Sequence, residues 1–385
     1  MPLHFPESEY RQRIQTVQQQ LRRDGRTALL AFAPETHYYL TGFDTFGFAM
    51  FQCMIVPAEG DVRLLTRAPD YRQAQQTSIL SDQQIHIWKD EEAADPVSDL
   101  GDLMLEIGIY EGKLAVEMQT VGLNAWYGAQ LTDRLTAYEV NDGTQVVRNI
   151  RRQKSSIEIE YTRKAAELSD VALDRAVSLT KPGAFEGDIL AAMQGSIFEA
   201  GGDYAGNEFI IGSGQGGLLC RYFSGRRSLD PVDQLTLEWS GAWRRYHAAM
   251  MRTLIVGKAS KKQQAMHAAA TEALLACEEA IKPGDAMGNV FDAHAKTLDA
   301  HGFSHARLNA CGYGMGAVYN PIWVDFPMFY EGNPLVMEPG NVFFLHMVLM
   351  DSKENLAMCW GHSVLVTETG VDRLSQHPLD LVELG

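Results

Sequence analysis

Two stretches of this chain share one plan. ALDRAVSLTKPGAFEGDILAAMQGSIFEAGG begins at Ala172, and ALLACEEAIKPGDAMGNVFDAHAKTLDAHG begins at Ala273. Each reads as a helix, a stop at Lys-Pro-Gly (Lys181 and Lys282), a second helix, and a glycine at equal distance from the stop (Gly201 and Gly302). Proline removes a backbone donor and glycine accepts the left-handed conformation, so the pair ends a helix. A repeated helix–KPG–helix followed by apolar strands predicts two pseudo-symmetric halves sharing one core. The competing explanation is two unrelated helical hairpins with a common stop signal.

The repeat occupies only part of the 385 residues. A chain of this length exceeds one ordinary core and predicts two domains. Residues 8–24 have helical periodicity in Tyr10, Ile14, Val17 and Leu21. Short apolar strands follow at Ala28–Ala33, Met50–Val56, Val62–Leu65, Lys113–Val116 and Ala137–Val140. Alternating strands and helices predict a small α/β domain over 1–150. A second domain then spans 152–385. It opens with a capping box at Ser155 and Glu158, ahead of an apolar-periodic helix.

Charge narrows the range of partners. Lys+Arg 33 against Asp+Glu 49 gives −16, which argues against nucleic acid or an anionic membrane. No basic-then-apolar leader and no run of 18 or more apolar residues is visible, so a cytoplasmic location is expected. Five scattered cysteines form neither a disulfide framework nor a zinc motif.

The segment Leu235–Lys258, LTLEWSGAWRRYHAAMMRTLIVGK, with KSSIEIEYTRKAA near 154–166, resembles the pita-bread superfamily of methionine aminopeptidase, prolidase and creatinase. The resemblance implies the fold class: α/β (α+β), with a creatinase-like N-terminal domain and a pita-bread domain of pseudo-twofold repeat. It also implies five metal-ligand positions, occupied in the family by two Asp, one His and two Glu. Here they fall on Glu238, Ala249, Tyr313, His346 and Gly361, the last beside His362. Two ligand-capable positions are too few for a dinuclear centre, so no metal and no cofactor are expected. The segments TGFDTFGFAMFQCMIV, EWSGAWRRYH and CGYGMGAVYNPIW look closest to the metal-free branch of ectoine hydrolase and creatinase.

Site expectations follow position by position. Glu238 lies in an apolar strand and would hold an amidinium or guanidinium, or shuttle protons at a raised pKa. The plain alternative is pairing with Arg244 or Arg252. His346, His247 and His362 are candidate acid–base groups, each weighed against a core histidine. Tyr313, on the turn Gly312–Gly316, would orient water or support a developing anion, or merely fill the emptied metal space. Arg221 would grip a substrate carboxylate, with Arg226 and Arg227 as competitors. Cys311 is a weaker nucleophile or binding candidate. Phe48 and Phe51, with Phe43, Phe46, Tyr319 and Trp323, suggest an apolar lid over a small substrate. The resemblance implies a homodimer in which loop Gly42–Gln52 helps close the partner's pocket.

These readings converge on a metal-independent hydrolase of a non-peptide C–N bond in a small zwitterionic nitrogen compound. Two other classes stay open: a family member surviving as a binding protein, and a metal-dependent peptidase or lyase.

Overall fold

The computed structural model describes residues 3–221 and 226–385. It divides into two compact units, Met1–Arg151 and Arg152–Gly385. No described helix is long and apolar enough to cross a membrane.

In the first unit, helix α1 (Glu7–Arg23) buries Tyr10, Val17 and Leu21, the stripe read from its periodicity. Strands β1 (Ala28–Ala31), β2 (Cys53–Pro57), β3 (Arg63–Arg67), β4 (Ile85–Trp88), β5 (Gly112–Val116) and β6 (Tyr138–Asp142) form a sheet in the order β4-β3-β2-β1-β5-β6. Helices α2 (Pro34–Thr41), α3 (Ala68–Thr77), α4 (Pro96–Glu106), α5 (Ala125–Arg134) and α6 (Thr144–Arg152) complete it. Strand β4 and helices α2 and α3 were not foreseen. In IHIW only Ile85 and Trp88 are buried, and β4 borrows its order from parallel pairing with β3.

The second unit opens with α7 (Ser156–Leu179). Ser155 and Glu158 make the reciprocal capping box that the sequence predicts. Helix α8 (Glu186–Glu199) follows, then β7 (Ile210–Ser213), β8 (Asp233–Trp243) and β9 (Tyr246–Val256). The second copy supplies α9 (Lys261–Ala280), α10 (Gly288–Ala300), β10 (Gly312–Gly314), β11 (Asp325–Met328), β12 (Val342–Asp351) and β13 (Leu356–Val366). The repeat persists in backbone detail. Gly183 and Gly284 after the stops have φ of 78° and 93°, and Gly201 and Gly302 have 81° and 82°. These left-handed values are open to glycine at little cost.

The strands lie in the order β11-β10-β12-β13-β9-β8-β7, so the pseudo-twofold runs between β13 and β9. Trp239 on β8 donates to Ser169 O of α7, and Trp360 on β13 meets the His267 ring of α9. Both helix pairs therefore cover one face. Gly241 permits the approach of α7, because a Cβ there would lie 2.0 Å from Ala165 O. The other face of the same strands is left to form a cavity.

Candidate active site

Side chains alternate across a strand, so residues opposite one another in register share a face. One row crosses five strands: Ile210 faces Glu238, Glu238 faces Met251, Met251 faces Gly361, and Gly361 faces His346. Ile210, Glu238, Met251 and His346 all line a cavity of about 210 Å³. Thr236, Val348 and Cys359, each two residues from this row, line it too. Tyr313 enters from β10, and Arg221 stands exposed at the border.

Glu238 is buried among apolar side chains. Burial raises its pKa to about 7, against the opposing pull of Arg221 and a hydrogen bond from Tyr313. That bond runs from Tyr313 Oη to Glu238 Oε1 at 3.4 Å. Trp323 Nε1 donates to the same tyrosine oxygen at 2.9 Å. A chain Trp323→Tyr313→Glu238 thus fixes the phenol and points its proton at the carboxylate. Burial and the charge of Glu238 push the Tyr313 phenol well above its usual range, so it stays a donor.

His346 is also buried, with its ring 5.6 Å from that of Tyr313. Burial, with help from His294 and Arg221, lowers its pKa to about 3. Its imidazole is neutral at pH 7, and Nδ1 has no hydrogen-bond partner among the described residues. The cavity therefore holds a carboxyl poised near neutrality, an uncharged imidazole, a braced phenol and one guanidinium.

Other sequence-predicted site residues lie elsewhere. His362 follows Gly361 on β13, so parity turns it to the helix-covered face, where Nε2 lies 2.5 Å from Glu278 Oε1 of α9. His247 sits four residues, about 13 Å, along β9 from Met251. Both its nitrogens are engaged, Nε2 accepting from Gly206 N–H and Nδ1 meeting Arg245 O. Burial lowers it to about 4. Cys311 is buried outside the cavity lining, and burial together with Cys277 pushes its thiol well up, which removes the thiolate a nucleophile requires. Trp323 braces Tyr313 from behind the wall. Phe51 is packed in the core of the first unit against Phe32 and Tyr127, and a core ring cannot also serve as a contact surface. Phe48 lies half-buried in a short turn of the first unit. Neither arginine offered as a plain partner reaches Glu238. Arg252 faces the helices and bonds to Met251 O and Gly361 O, while Arg244 bonds to Tyr161. Arg227 is held by Asp233 and Asp230.

A model of metallopeptidase family M24 matches residues 160–368, and one of the creatinase/prolidase N-terminal domain matches residues 13–153. The chain belongs to metallopeptidase family M24. An uncharacterised hydrolase/peptidase of Sinorhizobium fredii is 27% identical over 99% of this chain and 98% of its own. The ectoine hydrolase of Halomonas elongata is 24% identical over 98% of each. Among solved structures, prolidase from Thermococcus sibiricus superposes with a TM-score of 0.88 at 20% identity, covering 97% of this chain and 99% of that one.

The family name implies metal, and the donor set tests that implication. Among the described residues no group of three or more His, Cys, Asp or Glu could hold an ion. Within the central row, position 361 has no room for a ligand. A Cβ on Gly361 would lie 2.3 Å from Leu345 O and 3.0 Å from His346 Cα. The side chains present do not fit the dinuclear centre of an M24 metallopeptidase.

Sequence reasoning missed Thr236, Met251, Val348 and Cys359. The signal was available: each lies at even spacing along a strand from Glu238, Ala249, His346 or Gly361.

Proposed function

We propose that this M24 chain is a metal-independent hydrolase of a C–N bond other than a peptide bond, in a small zwitterionic nitrogen compound. Cyclic amidines of the ectoine kind are the first candidates and guanidino acids the second. The observation that carries the reading is Glu238: a buried carboxyl with a pKa of about 7 that lines a cavity, hydrogen-bonded to a braced tyrosine. The full-length likeness to an ectoine hydrolase supports it. So does the size of the cavity, below the roughly 300–1,000 Å³ of common ligand sites.

In this reading Arg221 receives the substrate carboxylate and Glu238 pairs with the amidinium or guanidinium. Water attacks the sp² carbon. Glu238 accepts the proton that water loses and passes it to the departing nitrogen, as a group of near-neutral pKa does best. The neutral His346 orients the water, and Tyr313 holds the Glu238 carboxylate in place. We assign the same reading a cytoplasmic location and a homodimer, in which loop Gly42–Gln52 helps close the partner's cavity; a monomer on gel filtration at working concentration would remove the shared-site part.

The test is product detection by mass spectrometry with ectoine-like amidines and guanidino acids, before and after a chelator. Turnover should survive chelation and fall in Glu238→Gln and His346→Ala. Full turnover in both variants would sink the assignment. Stoichiometric bound iron, manganese or zinc in the purified protein would favour a metallopeptidase instead.

A further inference from the structure

Of the described side chains that line the cavity, only Glu238 and Arg221 are acidic or basic apart from the neutral His346. Most of the remaining lining is apolar, and it includes three methionines, Met251, Met328 and Met350. Met251 lies beside Glu238 in the central row, and Met350 and Val348 extend the wall along β12. Leu219, Leu308 and Met328 form the outer lining, 54%, 36% and 41% exposed. Apolar side chains grouped at the mouth of a cavity offer a surface that a bound hydrocarbon can cover, whether or not a partner's loop closes over it. Thioethers are flexible and polarisable, so they mould to aliphatic groups of varied shape. Contacts to Glu238 and Arg221 alone would leave these apolar side chains uncovered.

We infer that the substrate carries an aliphatic arm of several carbons beyond its C–N head group, and that this arm lies along Met251, Val348 and Met350 toward Leu219, Leu308 and Met328. This inference rests on the placement of the cation at Glu238 in the function proposed above. Within the zwitterionic amidines and guanidino acids proposed above, it narrows the substrate to those that carry such an arm. The head group is fixed by one carboxylate, and affinity grows with buried hydrocarbon. Specificity for arm length then resides in the methionine wall rather than in the charged end.

The experiment is calorimetric binding of straight-chain amidines, from acetamidine to hexanamidine, to the full-length protein, with straight-chain carboxylates as a parallel series. Each methylene buried against the wall should tighten binding about threefold to fourfold, until the cavity is filled. In Met350→Gln and Met328→Gln, checked for an unchanged melting temperature, that dependence should flatten while acetamidine binds as before. Binding of acetamidine without any dependence on length overturns the aliphatic arm and leaves the proposed function standing. Failure of every amidine, with the length dependence kept by the carboxylates, overturns the cation role of Glu238 and supports the apolar wall. Loss of length dependence together with a change of oligomeric state in the methionine variants overturns the inference in favour of a protein partner on the wall.

Discussion

The two faces of the central strands bury charge in opposite ways. On the helix-covered face Glu278 meets His362 Nε2 and both Arg373 Nε and Nη2, at 2.5, 3.0 and 2.7 Å. Burial pushes this carboxyl up, but the bonds from His362 and Arg373 outweigh it and bring its pKa down to about 2. On the cavity face, among the described residues, Glu238 has one long hydrogen bond and the pull of an exposed arginine, and burial wins. Gly361 and His362 are adjacent in sequence, yet belong to these two regimes. A buried charge whose partners are supplied by the fold is part of the scaffold. One left short of partners at an opening is the place where a ligand can complete the set.

The largest effect should separate the faces by activity. Glu238→Gln keeps the shape of the side chain and removes its proton exchange, so turnover should fall on the order of a thousandfold. His362→Gln should change turnover by less than about threefold, because its ring never reaches the cavity. Comparable losses in both variants would erase the distinction. Stability should divide the faces the other way. Glu278→Ala leaves Arg373 and His362 without their acceptor and should cost about 3 kcal/mol in denaturant unfolding.

The pH dependence has opposite signs on the two faces. Glu238 has a folded pKa near 7, above its unfolded value of 4.5, so its folded state holds the proton more tightly. Its contribution is complete below about pH 4.5 and is lost as pH rises through about 7. A shift of that size corresponds to a change on the order of 3 kcal/mol. Glu278 has a folded pKa near 2, below 4.5. Its contribution is present above about pH 4.5 and is lost as pH falls through about 2. Unfolding measured at pH 5 and pH 8 should show Glu238→Gln gaining on the parent protein at the higher pH. Glu278→Gln should lose its disadvantage only in acid. Parallel curves for the two variants would contradict the assignment of charge states.

The same contrast marks what the sequence disclosed. The repeat was legible because helix stops are local chemistry: Lys-Pro-Gly breaks a helix wherever it stands. The capping box at Ser155 was legible for the same reason. Glu238 and His346, which share the cavity lining, stood out as candidates because a charge and an imidazole interrupt apolar strands, LTLEW and FFLHMVLM. His362 was misplaced because parity becomes decisive only once the β12–β13 register is known. His247 obeys parity but lies too far along β9, and distance from a cavity is a property of the assembled sheet. Phe51 was misplaced because an aromatic ring reads alike in a core and in a lid. The weak basicity of His346 was not legible, since it arises from burial and from His294 on α10, distant in sequence.

The smallest effect sharpens the comparison inside the cavity itself. Tyr313 does for Glu238 a fraction of what Arg373 and His362 do for Glu278, through one bond of 3.4 Å. Tyr313→Phe removes that donor and also leaves Trp323 Nε1 without its acceptor. A buried donor left unsatisfied costs about 1–3 kcal/mol, so the melting temperature should drop by a few degrees. Trp323→Phe on the same background should restore part of it, because the stranded indole N–H is then gone. The hydroxyl also lowers the Glu238 pKa, so without it the carboxyl should ionise at still higher pH. If Glu238 is the base, the rising limb of the pH–rate profile should move upward in Tyr313→Phe, with turnover reduced about tenfold at pH 7. A limb that stays in place while the melting temperature falls would make the tyrosine a brace for tryptophan alone. The carboxyl near neutrality would then owe its pKa to burial and Arg221, with no help from its only hydrogen-bond donor among the described residues.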